Sequence, residues 1–208
     1  MDIVGLNKFQ FVKEYLIKNN LKTILDVGCR DCELKDYVVS ITEDYKGCDL
    51  FQNKKNSVDY VADLEKGLPL ANESFDCVVA LDLVEHLNGF QGGIEELLRV
   101  TKKDLIIMLP NISHLFFRLK FLFTGSISDK YSLNNQSCFK GSDRHRWLIG
   151  SLETDKYMNE FSQAKNLKME KYNFISNSGK MMFFYRLATL FNLPKSLYVW
   201  SVVYVFRK

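Results

Sequence analysis

The stretch Thr23-Ile-Leu-Asp-Val-Gly-Cys-Arg-Asp-Cys-Glu-Leu34 constrains this chain more than any other. A short apolar, β-type run ends at Asp26, turns at Gly28 and continues as a helix pattern. A strand–turn–helix unit sets backbone N–H groups and a helix N-terminus at the carboxyl end of a strand, where open α/β sheets bind nucleotide-like ligands. The next three candidate strands also end in an acidic residue: Asp49, Asp63 and Asp82. One aspartate at a strand end is ordinary turn chemistry, but four in series predict a single ligand crevice.

The rest of the pattern agrees with such a sheet. Residues 7–19 read as an amphipathic helix with Phe9, Val12, Tyr15 and Leu16 on one face. Strands are predicted at Thr23 to Val27, Tyr45 to Leu50, Val58 to Ala62, Phe75 to Leu81 and Asp104 to Leu109. Helices are predicted at Glu33 to Ser40 and Phe90 to Thr101. The nearly continuous apolar run of Phe75 to Leu81 suits a strand covered on both faces. Strands alternating with helices or connections predict an α/β fold, a doubly wound, mostly parallel sheet.

Further on, Leu115 to Phe123 reads as an aromatic helix, more suited to core or lid than to a binding box. A polar loop spans Gly125 to Gly141, and Ser151 is a candidate cap for a helix reaching Lys165. Strands at Leu167 to Ile175 and Leu197 to Arg207, with a helix at Met181 to Phe191 between them, are expected to pair antiparallel. The expectation is one domain over residues 1–208, elaborated at 112–148.

With 208 residues, a second full domain would be cramped. A net charge of +3, with Lys and Arg scattered, argues against a nucleic-acid partner. No run approaches the roughly 18 apolar residues a membrane span needs, and the N-terminus lacks a basic start followed by an apolar run. Five cysteines, an odd number, suit reduced thiols and a cytoplasmic location better than a disulfide framework.

In order, Ile24-Leu-Asp-Val-Gly-Cys29, Gly47-Cys-Asp49, Ala62-Asp63-Leu64 and Phe75-Asp-Cys-Val-Val-Ala-Leu-Asp82-Leu-Val-Glu-His86 resemble the class I S-adenosylmethionine-dependent methyltransferases over residues 22–111. Leu68-Pro-Leu-Ala-Asn-Glu-Ser-Phe-Asp76 is similar to the members acting on small molecules. Arg99-Val-Thr and Leu109-Pro-Asn111 look like the methionine-biosynthesis W-type (MetW-like) branch, and His145 to Leu148 like glycan-associated members.

The resemblance implies a seven-stranded Rossmann-like sheet and S-adenosylmethionine as cofactor. It places Gly28, Cys29 and Arg30 in the loop beside the methionine moiety, with Asp26 beneath the amino group. Asp49 and Leu50 would meet the ribose, Asp63 and Leu64 the adenine, and Asp82 and Leu83 the sulfonium side. Clustered carboxylates suit a ligand carrying a sulfonium and an ammonium. The family's Gly-x-Gly-x-Gly reads Gly28-Cys-Arg-Asp-Cys32 here. Arg30 either points to solvent or pairs with the cofactor carboxylate.

On the acceptor side, His86 follows the fourth strand at the crevice. His145, beside Arg144, Arg146 and Trp147, could serve as a base gripping an anionic or sugar acceptor, or belong to a loop anchored by Trp147. His114 is the weaker candidate. Three roles are weighed: methyl transfer to a small-molecule or glycan-like acceptor, a non-catalytic partner protein of the MetW-like kind, and a redox pair at Cys29-Arg-Asp-Cys32. A homodimer or a partner enzyme is compatible with each of the first two, and no metal is invoked.

Overall fold

The computed structural model describes residues 2–4, 6–131, 144–175 and 179–208. Eight strands form one sheet: β1 (Asp2–Val4), β2 (Thr23–Val27), β3 (Asp44–Asp49), β4 (Tyr60–Val61), β5 (Phe75–Leu81), β6 (Thr101–Pro110), β7 (Lys168–Ile175) and β8 (Ser201–Arg207). Helices α1 (Lys8–Asn19), α2 (Glu33–Val38), α3 (Phe90–Val100), α4 (Leu115–Thr124), α5 (Ser151–Ala164) and α6 (Gly179–Leu190) connect them. The order across the sheet is β4-β3-β2-β5-β6-β8-β7-β1. All neighbours are parallel except β8, which runs antiparallel to both β6 and β7.

Seven of these strands are the expected set, in the Rossmann-like order with an antiparallel last pair. The eighth, β1, adds to the β7 edge; three residues are too short to carry a period-2 signal in sequence. The strand order reverses between β2 and β5, so their carboxyl ends diverge into a crevice. Hydrophobic cores fill both faces of the sheet. One contains Val78, Leu105 and Tyr204; the other contains Leu16, Ile24 and Ile106. β5 and β6 pass between them, which is why β5 and the Leu105–Leu109 part of β6 are nearly unbroken apolar runs.

Several boundaries differ from expectation for local reasons. β4 is two residues rather than Val58 to Ala62, because Val58 is taken by the Gln52 side chain, which receives its N–H and donates to its carbonyl, both at 3.0 Å. In α1, Phe11 is buried while Phe9 is only half-buried. Ser151 is the first residue of α5 rather than its cap; Gly150 holds the cap position and makes no side-chain bond. α2 stops at Val38. The aromatic run of α4 is not core: none of its residues is buried, and Phe123 is 80% exposed. Residues 132–141 of the polar loop, and Asp143, lie outside the described residues. No helix among the described residues is long and apolar enough to cross a membrane.

Candidate active site

The turn after β2 is shaped by what surrounds it. Gly28 has φ +75°, and a Cβ there would lie 2.9 Å from Leu83 Cδ1, so glycine is required both by conformation and by space. Arg30 and Cys32 also lie in the left-handed region, at φ +50° and +56°. For ordinary residues this costs about 1–2 kcal/mol each. Compensation comes from hydrogen bonds: the Arg30 N–H donates to Asp49 Oδ2 at 2.8 Å, and Asn53 Nδ2 donates to the Arg30 carbonyl at 2.9 Å. The Arg30 side chain is exposed.

Cys29 and Cys32 are buried, with their sulfurs 3.5 Å apart, against Gly47 of β3. A Cβ on Gly47 would lie 2.9 and 3.0 Å from the two sulfurs, so this glycine makes room for the pair. Burial pushes the Cys29 thiol well above its ordinary pKa. A redox cysteine needs the opposite, an accessible low-pKa thiolate; this pair is packing.

A cavity of about 690 Å³ opens at the carboxyl ends of β2, β5 and β6. Of the residues anticipated from sequence, Asp26, Gly28, Cys29, Arg30, Asp82, His86 and His145 line it. Besides Glu85, four acidic residues (Asp26, Asp31, Glu33, Asp82) face three basic ones (Lys8, Arg30, Lys130) in its walls. That excess favours a cationic ligand. Asp26 is buried and accepts from the Tyr45 hydroxyl at 2.8 Å; burial raises its carboxyl to about 6. Asp82, at φ +55°, pairs with Lys8 Nζ at 2.7 Å.

The other anticipated residues stand behind the wall or beside it. Asp49 braces the Arg30 turn and Leu83 wedges under Gly28. Leu50 is exposed and Leu64 is buried in the core. Asp63 caps the short 3-10 helix Leu64–Lys66 by accepting from the Glu65 N–H at 3.0 Å.

At the far side of the cavity, residues 144–147 are stapled to residues 85–87. The Arg146 N–H donates to the Glu85 carbonyl at 2.9 Å, Arg146 Nε to the His86 carbonyl at 3.1 Å, and Trp147 Nε1 to the Leu87 carbonyl at 2.8 Å. Trp147 is therefore an anchor, and what it anchors is His145 in the cavity wall. The two imidazoles meet edge to face with centroids 4.6 Å apart. Beside them, Glu85 is fully buried, and neither carboxylate oxygen has a hydrogen-bond partner among the described residues. Burial, then the nearby Asp82 charge, raises Glu85 to about 8. His114 plays a different part: its Nδ1 accepts from the Phe116 N–H at 3.0 Å and caps α4.

Glu85, Lys8, Tyr45, Tyr131 and Trp200 were not among the anticipated site residues. Glu85 had a legible signal: it is a charged residue next to His86 just past a buried strand. Lys8 had none, since α1 reaches the cavity only through the tertiary fold.

Comparison with known proteins gives a consistent picture. A family model described as "Methyltransferase domain" matches residues 25–109. A ubiquinone biosynthesis O-methyltransferase of Pelagibacter ubique is 25% identical, covering 84% of this chain and 79% of that protein. Among solved structures, the methyltransferase domain of bacterial CtHen1-CN superposes with TM-score 0.62 at 12% identity over 97% of each chain. A SAM-dependent methyltransferase from Archaeoglobus fulgidus gives 0.59 at 15% identity, over 97% of this chain and 95% of that one.

Proposed function

We propose that this chain is a class I S-adenosylmethionine-dependent methyltransferase, as the match of residues 25–109 to a methyltransferase domain supports, and that it methylates a hydroxyl of a small-molecule acceptor held between the cofactor and the Glu85–His86–His145 cluster. The carrying observation is the composition of the one cavity at the β2/β5 divergence: a carboxylate-rich wall on the Gly28 side, and imidazoles with a buried carboxylate on the other.

In this reading Asp26 faces the ammonium group of the cofactor, and Asp82 lies beside the sulfonium. Gly28, Cys29 and Arg30 present the loop to the methionine moiety. Asp49, already accepting from Arg30, retains lone pairs for ribose hydroxyls; Leu50, Asp63, Leu64 and Leu83 complete the adenosine and methionine surroundings. Methyl transfer is an in-line displacement, to which the protein contributes chiefly proximity and alignment. A hydroxyl acceptor must also lose its proton, and His86 and His145 are the groups placed for that side of the reaction. An oxygen acceptor is favoured by the likeness to an O-methyltransferase. An acceptor with an apolar part is favoured by Trp200, which lines the cavity and packs at a tilt against Phe117 of the exposed α4, 5.5 Å between centroids.

Calorimetry of the full chain with S-adenosylhomocysteine tests the premise of the site. We expect saturable binding that Asp49→Ala weakens by about tenfold or more, the loss of a charge-assisted hydrogen bond. Absence of heat at millimolar ligand overturns the assignment.

A further inference from the structure

We propose that Glu85, His86 and His145 form a binding site for one divalent first-row transition-metal ion, with its open coordination positions facing the cavity. One ligand atom from each of these residues lies within 4.8 Å of the other two, and all three residues line the cavity. His145 Nε2 stands 3.9 Å from Glu85 Oε1, beyond hydrogen-bond distance. A four-coordinate ion with bonds of about 2.0–2.2 Å holds its ligand atoms about 3.3–3.6 Å apart. Small side-chain rotations would close the set around a cation.

Two further observations support coordination over a simple buried ion pair. The first is the tautomer of each imidazole. His86 Nδ1 is 3.1 Å from the Arg144 carbonyl, which can only accept, so this nitrogen carries a proton and Nε2 is the coordinating position of the neutral ring. The Tyr131 hydroxyl spends its one proton on the Trp147 carbonyl at 2.9 Å, so at 3.1 Å from His145 Nδ1 it accepts. His145 is thereby also held as the Nδ1–H form, with Nε2 toward Glu85. Donation of the second ring N–H to a carbonyl or hydroxyl oxygen is how metal-binding histidines are oriented. The second observation is Glu85 itself. A fully buried carboxylate without a hydrogen-bond partner among the described residues is expensive to maintain, and a cation would satisfy both oxygens. Two imidazoles and one carboxylate suit zinc, manganese, iron or cobalt better than magnesium or calcium.

The role of such an ion rests on the methyltransferase reading; its binding does not. With the ion bound, His86 and His145 coordinate it instead of taking the proton, and an acceptor hydroxyl on the ion would release its proton to solvent as the oxygen bonds to the methyl carbon. The carbon–sulfur bond breaks, and its electron pair returns to sulfur as a neutral thioether.

The test uses the full chain, stripped with chelator and titrated with Co²⁺ while the visible d–d bands are followed. We expect one equivalent bound, displaced by Zn²⁺, with binding weakened by about tenfold or more in His145→Ala and in Glu85→Gln. Binding of S-adenosylhomocysteine by the same variants should stay within about threefold, a difference of less than 1 kcal/mol. His86→Ala, at a half-buried position, carries the test if either buried variant fails to fold. The proposal is overturned if the stripped protein binds no Co²⁺ below millimolar, or if the variants bind it as tightly as the parent. Cofactor calorimetry reports separately, so a failed methyltransferase reading and a failed metal site are distinguishable.

Discussion

Two buried carboxylates at opposite ends of the sheet are treated in opposite ways. Asp104, near the start of β6, is 2% exposed and fully engaged: it accepts from the Tyr15 hydroxyl at 3.0 Å and from Arg207 Nε at 3.0 Å. Arg207 also donates to the Tyr15 hydroxyl and to Asn19 Oδ1, both at 2.9 Å, tying α1, β6 and β8 together. Glu85, past the end of β5, is just as buried and has no such set. A satisfied buried charge holds structure together, whereas a buried carboxyl group without hydrogen bonds is retained at the expense of stability and points to a task. Three residues at Glu85's end, Arg30, Cys32 and Asp82, have positive φ, and Asn20, Glu73 and Asn166 adopt it at the other end.

The largest effect should come from dismantling the satisfied end. Asp104→Ala strands Arg207 and Tyr15 and should lower unfolding free energy by about 3 kcal/mol, the low end for breaking a buried pair because Arg207 is part-exposed. Urea denaturation measures it, and cofactor affinity should be unaffected; a loss under 1 kcal/mol would erase the contrast.

The next effect is on ligand binding. A carboxyl raised to about 6 by burial is ionised at pH 7 and largely protonated at pH 5. Only the ionised form attracts an ammonium, so S-adenosylhomocysteine affinity should fall about tenfold from pH 7 to pH 5, about 1.4 kcal/mol. In Asp26→Asn that slope should vanish, and calorimetry at the two pH values decides it.

Glu85→Met should go the other way from Asp104→Ala. Removing an unsatisfied buried carboxylate in favour of an apolar side chain of similar size should stabilise the cation-free protein by about 1 kcal/mol, with loss of Co²⁺ binding. Destabilisation by thermal melting would mean that Glu85 belongs with Asp104 after all. The smallest change is expected for Arg30→Gly. Relief of the left-handed strain, less the entropy of glycine, should leave a gain of about 0.5 kcal/mol. Cofactor affinity should change by less than about threefold if the exposed guanidinium makes no cofactor contact.

The Gly28 side of the cavity was the more legible one because its residues come from strand ends. Asp26, Gly28 and Asp82 reach the wall from β2 and β5, and the alternation of strands and helices is a local, periodic signal. Asp49 and Asp63 share the pattern, and their carboxylates also accept the Arg30 and Glu65 N–H groups, contacts that an aspartate at a strand end commonly makes. The His145 side was less legible. His145 lies 59 positions beyond His86, and only the stapling of residues 144–147 to residues 85–87 brings their rings together. No spacing rule reports a contact of that separation.

By itself, then, the sequence determined the sheet, its parallel body with an antiparallel last pair, and the crevice after β2. Local hydrophobic periodicity and turn chemistry dictate these within each segment. The tertiary structure alone decided that α4 stays outside the core, that Gly47 admits two cysteine sulfurs, and that the Glu85 carboxyl group is buried with no hydrogen-bond partner among the described residues. Burial, tautomer and desolvation depend on what packs from elsewhere in the chain, and those are the quantities on which the chemistry of this cavity turns.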